Sequence, residues 1–200
     1  MQTSNLKSLT RCSWCGDTPD YMAYHDHVWG VPEYNSHQLF AKLVLDGQQA
    51  GLSWITILRK QKNYEAAFFG LNPERLAALQ GRAREEHIAE QLNNAGIIRN
   101  KLKVNSVFKN ADAYMKLEAA GINFSELLWS YVGGRPLQNS WQSMGDVPTE
   151  TEASRALSKR LKKAGFNFVG PTIVYAFMQA VGMVNDHLVD CFRYNEHIKK

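Results

Sequence analysis

A cysteine and a histidine occur as a pair near each end of the chain. Cys12 and His25 lie near the start, and His187 and Cys191 lie near the end. The two ends of a domain are often close together, so these four side chains predict one tetrahedral site of the kind that Zn²⁺ prefers. The spacing of His187 and Cys191 predicts that both lie on one face of a helix. A metal there would join the first and last segments, which predicts an architectural role.

Spacing alone leaves the ligand set open. Cys15 forms a CxxC pair with Cys12, a spacing that also binds zinc, and His27 and His197 are further candidate ligands. Three cysteines and six histidines can also fall into such spacings by chance. A disulfide framework is less favoured, because three is an odd number and a chain of 200 residues does not need one.

Composition predicts one helical domain. Hydrophobic residues make up 44% of the chain, which is enough for a core, and a net charge of +4 is compatible with a polyanionic partner without being diagnostic of one. We expect a flexible tail over residues 1–10, a single domain over 11–195 and a short tail over 196–200. The absence of a long apolar run and of an apolar signal core predicts a cytoplasmic protein without a membrane span. We expect a monomer.

Helix start and stop signals recur along the chain, and strand alternation is scarce, which predicts an all-α fold. Ser36 and Ser53 are predicted N-caps, and Asn72-Pro73 is a clear helix start. Further helices are predicted over residues 84–94, 101–120, 124–132, 149–164 and 172–181. Residues 137–148 are predicted to form a loop.

The segment between the last two predicted helices contains two glycines, Gly165 and Gly170, around a short apolar turn. Such glycines let a backbone pass close to a bulky partner, and the free amides of the next helix, near Thr172, can hold a phosphate. Lysines on the preceding helix add attraction to a nucleic-acid backbone. These features indicate a helix-hairpin-helix contact with DNA. On this segment alone, an ordinary helix end with a solvated basic face is the favoured alternative.

Aromatic and polar residues concentrate between residues 14 and 54. The aromatic set could stack on a planar base, although such clusters more often form part of a core; it comprises Trp14, Tyr21, Tyr24, Trp29, Tyr34 and Trp54. The segment 46–54 adds the carboxylate of Asp46, two amides and a flexible glycine at a helix junction. A core segment rarely concentrates so many hydrogen-bonding groups, so a binding pocket is favoured.

Several strings resemble the 3-methyladenine DNA glycosylase I family. They are YHD at 24–26, WGVP at 29–32, GQQAGLSW at 47–54, AGIIR at 95–99, FVG at 168–170, and FMQA at 177–180 running into NDH at 185–187. The resemblance extends from Cys12 to Cys191. It implies the all-α fold of the helix-hairpin-helix DNA glycosylase superfamily. It also implies one structural zinc, with Cys12, His25, His187 and Cys191 as ligands and Cys15 as a bystander.

The resemblance implies a monofunctional enzyme of base-excision repair. Its partner would be double-stranded DNA with alkylated bases, and it would release 3-methyladenine by hydrolysis of the N-glycosidic bond after flipping the base into an aromatic pocket. No lysine stands out from the sequence as a Schiff-base nucleophile.

Residue roles follow from the same resemblance. Asp46 would be the catalytic pocket carboxylate, Tyr24 and Trp54 would stack on the base, and Trp14 and Tyr21 would complete the wall. Leu52, after Gly51, would fill the gap left in the DNA, and the hairpin residues Gly165, Gly170 and Thr172 would contact the backbone.

One departure from the family and one rival residue keep alternatives open. The family usually has glutamate where this chain has the shorter Asp46, so a glycosylase for another modified base and a non-catalytic zinc-containing binder of damaged DNA are the alternative functions. Asp186 is a rival catalytic carboxylate, or else it caps the predicted helix of His187. The group that activates water and the excision of 3-methylguanine stay open.

Overall fold

Helices make up most of the computed structural model, which describes residues 9–196. The α-helices are α1 (Pro19–His27), α2 (Ser36–Gln49), α3 (Trp54–Leu58), α4 (Gln61–Ala67), α5 (Pro73–Ala78), α6 (Gly81–Gln91), α7 (Lys101–Ala119), α8 (Phe124–Trp129), α9 (Glu152–Ala164) and α10 (Pro171–Ala180). Short 3₁₀ turns cover Ser13–Cys15, Phe69–Leu71 and Ser130–Val132. Two strands, β1 (Leu137–Gln138) and β2 (Val184–Asn185), pair in parallel. The predicted helical fold is therefore confirmed, with this short ladder added.

Helix caps correct two predicted starts. The Asn35 side chain accepts hydrogen bonds from two first-turn amides of α2, at 2.9 and 3.1 Å, so Asn35 is the N-cap and the prediction of Ser36 was wrong by one residue. Helix α9 begins after Thr151 and not at Thr149. The reason is a reciprocal capping box, in which the side chains of Thr151 and Ser154 each accept a hydrogen bond from the other residue's amide.

Other boundaries differ by a few residues. The helix predicted over 84–94 is α6, which starts and ends three residues earlier. The helix predicted over 124–132 consists of α8 and a 3₁₀ turn. The loop predicted over 137–148 contains β1, whose pairing with β2 holds the loop against the segment after α10.

Helices α2, α7 and α10 supply much of the core. On α2, the apolar residues recur at the spacing of one helix face and are 0–1% exposed: Leu39, Phe40, Leu43 and Val44. Helix α10 buries Val174, Phe177 and Met178 completely and packs against α2 and α9. Each such side chain contributes about 1.5–3 kcal/mol on burial. This packing fixes the position of α2, the helix that carries Asp46.

Residues 1–8 and 197–200 lie outside the described residues, and with them most of the predicted tails over 1–10 and 196–200. Within residues 9–196, no helix combines the length and the apolar character needed to cross a membrane.

Gly182 brings the end of α10 into contact with the segment that follows α1. The backbone there has φ +70°, and a Cβ atom on Gly182 would lie 2.6 Å from the Pro32 nitrogen and 2.7 Å from the Gly30 oxygen. Backbone atoms at that distance cannot move aside without shifting the segment. Only glycine fits this junction.

Gly182→Ala is expected to lower the free energy of unfolding. Gly133→Ala is a matched control, because Gly133 also has φ +70° but a Cβ there meets no described atom within 4 Å. We expect the loss for Gly182→Ala to exceed that for Gly133→Ala by about 1–3 kcal/mol, the usual cost of overpacking. Urea denaturation of both variants measures the difference, and equal losses would show that the close approach is not the cause.

Candidate active site

The four terminal cysteine and histidine residues meet in one buried cluster. The ligand atoms of Cys12, His25, His187 and Cys191 all lie within 4.8 Å of one another. The Nδ1 atom of His187 is 3.7 Å from Cys12 Sγ and 3.5 Å from Cys191 Sγ, and His25 Nε2 is 3.5 Å from Cys191 Sγ. Tetrahedral zinc with ordinary bond lengths separates sulfur and nitrogen ligands by about 3.6 Å. The residues therefore fit such an ion.

The cluster forms from three local structures. Cys12 precedes the first 3₁₀ turn, and His25 lies on the last turn of α1. His187 and Cys191 follow β2 in a non-helical loop, so the prediction that they share a helix face was wrong, as was the prediction that Asp186 caps such a helix. Val184 and Asn185 of β2 are extended because they pair with β1. A turn between Leu188 and Cys191 then brings His187 and Cys191 together.

Groups around the cluster orient its ligands. The Nδ1 atom of His25 lies 2.8 Å from a carboxylate oxygen of Asp26, and Arg11 donates to both oxygens of that carboxylate. The Leu188 amide lies 3.4 Å from Cys12 Sγ, toward which it donates. A carboxylate behind a histidine ligand is a common arrangement at metal sites, where it fixes the tautomer and the ring orientation.

The other candidate ligands lie elsewhere. The Cys15 thiol donates to the Cys12 carbonyl oxygen, 3.2 Å away, and is absent from the cluster of described ligand atoms. His27 is exposed, and His197 lies outside the described residues.

A cavity of about 210 Å³ lies between α1, α2, α3 and α10. The five residues predicted to form the base pocket all line it: Trp14, Tyr21, Tyr24, Asp46 and Trp54. The Tyr24 and Trp54 rings lie 5.4 Å apart between centroids, at an angle of 40°. Burial raises the pKa of Tyr24 well above that of an ordinary phenol, so the ring remains neutral.

The aromatic wall joins the cavity to the metal cluster. Trp14 lies 5.0 Å from Trp29 between ring centroids. Trp14 also lies 5.4 Å from the ring of His25, and Trp29 lies 4.6 Å from the ring of His187. Both histidines of the cluster therefore pack against the aromatic wall of the cavity.

Asp46 lies in the cavity wall and is 2% exposed. One carboxylate oxygen forms an ion pair with Lys42, one helical turn earlier on α2. The Lys42 nitrogen also lies over the Trp54 ring, 3.8 Å from its centroid. Burial raises the pKa of Asp46 and lowers the pKa of Lys42. The charge of Lys42 opposes the shift of Asp46, and the charge of Asp46 opposes the shift of Lys42.

Two buried polar atoms in this wall lack a hydrogen-bond partner among the described residues. They are the second carboxylate oxygen of Asp46 and the indole nitrogen of Trp54. Buried polar atoms in native proteins are nearly always satisfied, so an unpaired acceptor and an unpaired donor in one cavity wall indicate a ligand site.

Asp186 also lines the cavity, but its carboxylate is fully engaged. Asn139 and Trp141 donate to one oxygen at 2.6 and 2.8 Å. Tyr175 and Gln179 donate to the other at 2.6 and 2.7 Å. These bonds tie together the loop after β1, helix α10 and the start of the loop that carries His187 and Cys191. Asp186 was predicted as a rival to Asp46 for the catalytic carboxylate. In the structure its carboxylate makes an extensive set of structural contacts.

The predicted DNA-contacting residues lie on two surface turns. Gly51, with φ +75°, and Leu52, 41% exposed, join α2 to α3, the helices of Asp46 and Trp54. The turn at 165–170 approaches α2 closely, because a Cβ on Gly47 would lie 3.2 Å from that of Phe168. Both turns therefore flank the helix that carries the pocket carboxylate.

The hairpin turn is held by its neighbours. Asn110 on α7 accepts a hydrogen bond from the Asn167 amide at 2.7 Å and donates to its carbonyl at 3.2 Å. Gly165 has φ +103° and ends α9, and Gly170 precedes α10, where Thr172 is exposed.

Lys42 is the main pocket residue that sequence reasoning missed. Its position four residues before Asp46 on a predicted helix was an available signal. Gln49, Gln179, Met144 and Val147 also line the cavity. The last two lie in the loop after β1 and had no sequence signal. Gln48, by contrast, is a core residue that donates toward the Lys103 carbonyl and accepts from Tyr64.

The sequence model of the methyladenine glycosylase family matches residues 14–194. The chain belongs to the methyladenine glycosylase family. Among its relatives, DNA-3-methyladenine glycosylase 1 of Escherichia coli is 48% identical over 186 residues, which cover 93% of this chain and 97% of the relative. DNA-3-methyladenine glycosylase of Haemophilus influenzae is 47% identical over 182 residues, which cover 91% and 96%.

The fold agrees with this membership. A structure of 3-methyladenine DNA glycosylase I from Staphylococcus aureus, solved for the structural basis of 3-methyladenine recognition, superimposes with a TM-score of 0.88. It is 38% identical, and the match covers 94% of this chain and 98% of that one. The two chains therefore share the same helical fold.

Proposed function

We propose that this chain is a base-excision repair glycosylase that hydrolyses the N-glycosidic bond of 3-methyladenine in double-stranded DNA. The observation that carries the proposal is the buried, partly unpaired carboxylate of Asp46 in an aromatic cavity. Family membership and the names of the relatives support the substrate. The product would be the free base and an abasic site.

The cavity suits a cationic purine. Methylation at N3 places a positive charge on the base and weakens its bond to the sugar. A cation over the Trp54 face gains about 0.5–2 kcal/mol, and the free oxygen of Asp46 can accept a hydrogen bond from the exocyclic amine. Normal adenine is neutral and gains neither advantage in full. The pocket would therefore distinguish 3-methyladenine from adenine by the positive charge of the base.

Hydrolysis needs little help with the leaving group. The carbon–nitrogen bond breaks with its electron pair going to the base, which becomes neutral. Water forms the new bond to the sugar carbon and releases a proton to the solvent. As the bond breaks, the positive charge passes from the base to the sugar, where Asp46 would stabilise it, while Tyr24 and Trp54 keep the ring aligned. The Lys42 nitrogen is engaged by the Asp46 carboxylate, which supports simple hydrolysis over attack by a lysine.

In this proposal Asp186 is a positioning residue, which holds the surrounding segments in place. The Asp186 carboxylate accepts four hydrogen bonds, so neither of its oxygens is left free for an attacking water. Asp46 has an oxygen to spare. This contrast supports Asp46 as the reactive carboxylate of the pocket.

The two surface turns would hold the DNA. Leu52 is an exposed apolar side chain on a short loop next to the pocket helices, which suits a plug in the base stack. The start of α10 after Gly170 offers free amides for a phosphate. Exposed Lys162 and Lys163 at the end of α9 add positive charge. These features support a helix-hairpin-helix contact with the strand.

We assign zinc to the cluster of Cys12, His25, His187 and Cys191. Two thiolates and two imidazoles are a common structural zinc set, and four protein ligands leave no open position for water. The ion would neutralise the two thiolates and hold the terminal segments together. In this arrangement the metal stabilises the pocket wall and takes no part in hydrolysis.

Asp46→Asn is expected to reduce release of 3-methyladenine from methylated duplex DNA by about a hundredfold or more, because the amide cannot balance a positive charge. Binding to a duplex with an abasic-site analogue should stay close to wild type. Chromatography of the released bases measures the first quantity, and fluorescence anisotropy measures the second.

Asp17→Asn is the matched control, since Asp17 is exposed and should be neutral to exchange. Wild-type rates in Asp46→Asn would remove Asp46 from the mechanism. A wild-type protein that binds the abasic duplex but releases no base would favour the non-catalytic binder, and release of a different base would favour the other glycosylase alternative.

Cys191→Ala is expected to lose the zinc ion and to lower the melting temperature, because a three-ligand site binds less tightly and the terminal segments separate. Elemental analysis of the purified protein measures the metal. Cys15→Ala is the control, because Cys15 is buried but donates to a backbone oxygen; it should retain one zinc ion per chain. Full zinc content in Cys191→Ala would show that the ligand assignment is incorrect.

A further inference from the structure

Lys42 occupies the position that a cationic base would need. Its ammonium lies 3.8 Å from the centre of the Trp54 ring and pairs with Asp46. An indole face and a carboxylate are the two groups that the proposed function assigns to the positively charged purine. The side chain is 16% exposed, so the ion pair lies largely out of solvent.

Two cations cannot share this position at low cost. The ammonium and a methylated purine would approach the same carboxylate in a cavity where water screens charges poorly, and their repulsion would be strong. The base must therefore displace the ammonium from the Trp54 face. Capture of the lesion becomes an exchange of one cation for another, with Asp46 paired before and after.

The structure contains a place for the displaced side chain. A second cavity, of about 460 Å³, lies on the other side of a wall that it shares with the first. Tyr24, Lys42 and Trp54 line both cavities. The second cavity is also lined by Glu33 and Glu65, which offer carboxylates to an ammonium. A change of Lys42 rotamer would move its charge from one cavity to the other.

Hydrolysis reverses the competition between the base and the Lys42 ammonium for Asp46. When the glycosidic bond breaks, its electron pair stays with the base, and the base becomes neutral. Asp46 then has no cationic partner in the pocket. A buried carboxylate without a partner is unfavourable, and the return of the Lys42 ammonium restores the pair while it displaces the base.

We propose that Lys42 is an internal competitor for the base-binding position, which the charged lesion displaces and which in turn weakens the hold on the neutral product. This inference rests on the proposed function. It assigns Lys42 as a positioning residue that sets how tightly the pocket retains 3-methyladenine.

Lys42→Met tests the inference, because methionine retains the apolar stem and removes the charge. Free 3-methyladenine is the probe, titrated into the zinc-loaded full chain by calorimetry. We expect the dissociation constant to fall by about tenfold or more relative to wild type. Product inhibition of multiple-turnover excision should strengthen by the same factor. A variant that merely damages the pocket would lose affinity, so a gain is specific to competition.

Three comparisons complete the experiment. Lys42→Gln repeats the loss of charge with a different side chain, and Lys42→Arg retains the charge and should bind the base as weakly as wild type. Lys116→Met changes an exposed lysine on α7 and should leave the dissociation constant unchanged. Melting temperature and binding to an abasic-site duplex verify that each variant is folded.

The possible results separate two failures. Equal or weaker binding of 3-methyladenine by folded Lys42→Met and Lys42→Gln would overturn the competition alone, since the pocket would still take the base. No binding and no excision by any of the proteins, wild type included, would overturn the proposed function and this inference with it.

Discussion

The pocket depends on one electrostatic constraint, the need of a buried carboxylate for a positive partner. Asp46 is 2% exposed on a helix that the core holds firmly. Its neighbours in the cavity wall are largely aromatic and cannot neutralise it. Asp46 therefore keeps its charge most readily beside a cation, supplied either by the chain or by a ligand. In the free protein Lys42 supplies it. The specificity proposed for the pocket follows from this requirement and from the aromatic faces that accept a cation.

The rest of the fold keeps that carboxylate in place. Helix α2 is buried against α10 on one face, and Lys103 on α7 donates to the carbonyls of Gln48 and Ala50 at its end, at 2.7 Å each. The hairpin turn packs at Gly47, beside Asp46. A carboxylate on so rigid a helix cannot move far toward a ligand. The ligand must come to it, which is consistent with an everted base and inconsistent with reading a base inside the duplex.

Local sequence signals were enough for the helices, because caps and apolar spacing act within a few residues. Pro73 at a helix start followed from such patterns, whereas the four-residue cysteine–histidine set followed from the family resemblance. Features that depend on distant partners did not. The pairing of Leu137 with Val184 places an extended segment just before His187. No local sequence pattern predicts a ladder of two residues. The cavity position of Lys42 likewise depends on where α3 places Trp54, which only the packed structure fixes.

The shorter carboxylate of Asp46 and the lysine one turn earlier have a common explanation. An aspartate keeps its charge near the helix backbone, within reach of a lysine at the i−4 position, whereas a longer acid would extend its charge further into the cavity. Placing the charge close to α2 lets the chain neutralise it without a ligand. The free oxygen of Asp46 and the free indole nitrogen of Trp54 remain as the groups that a base can satisfy. Substitution at one of these two positions on α2 therefore alters the electrostatics of the other, and the pair acts as a unit.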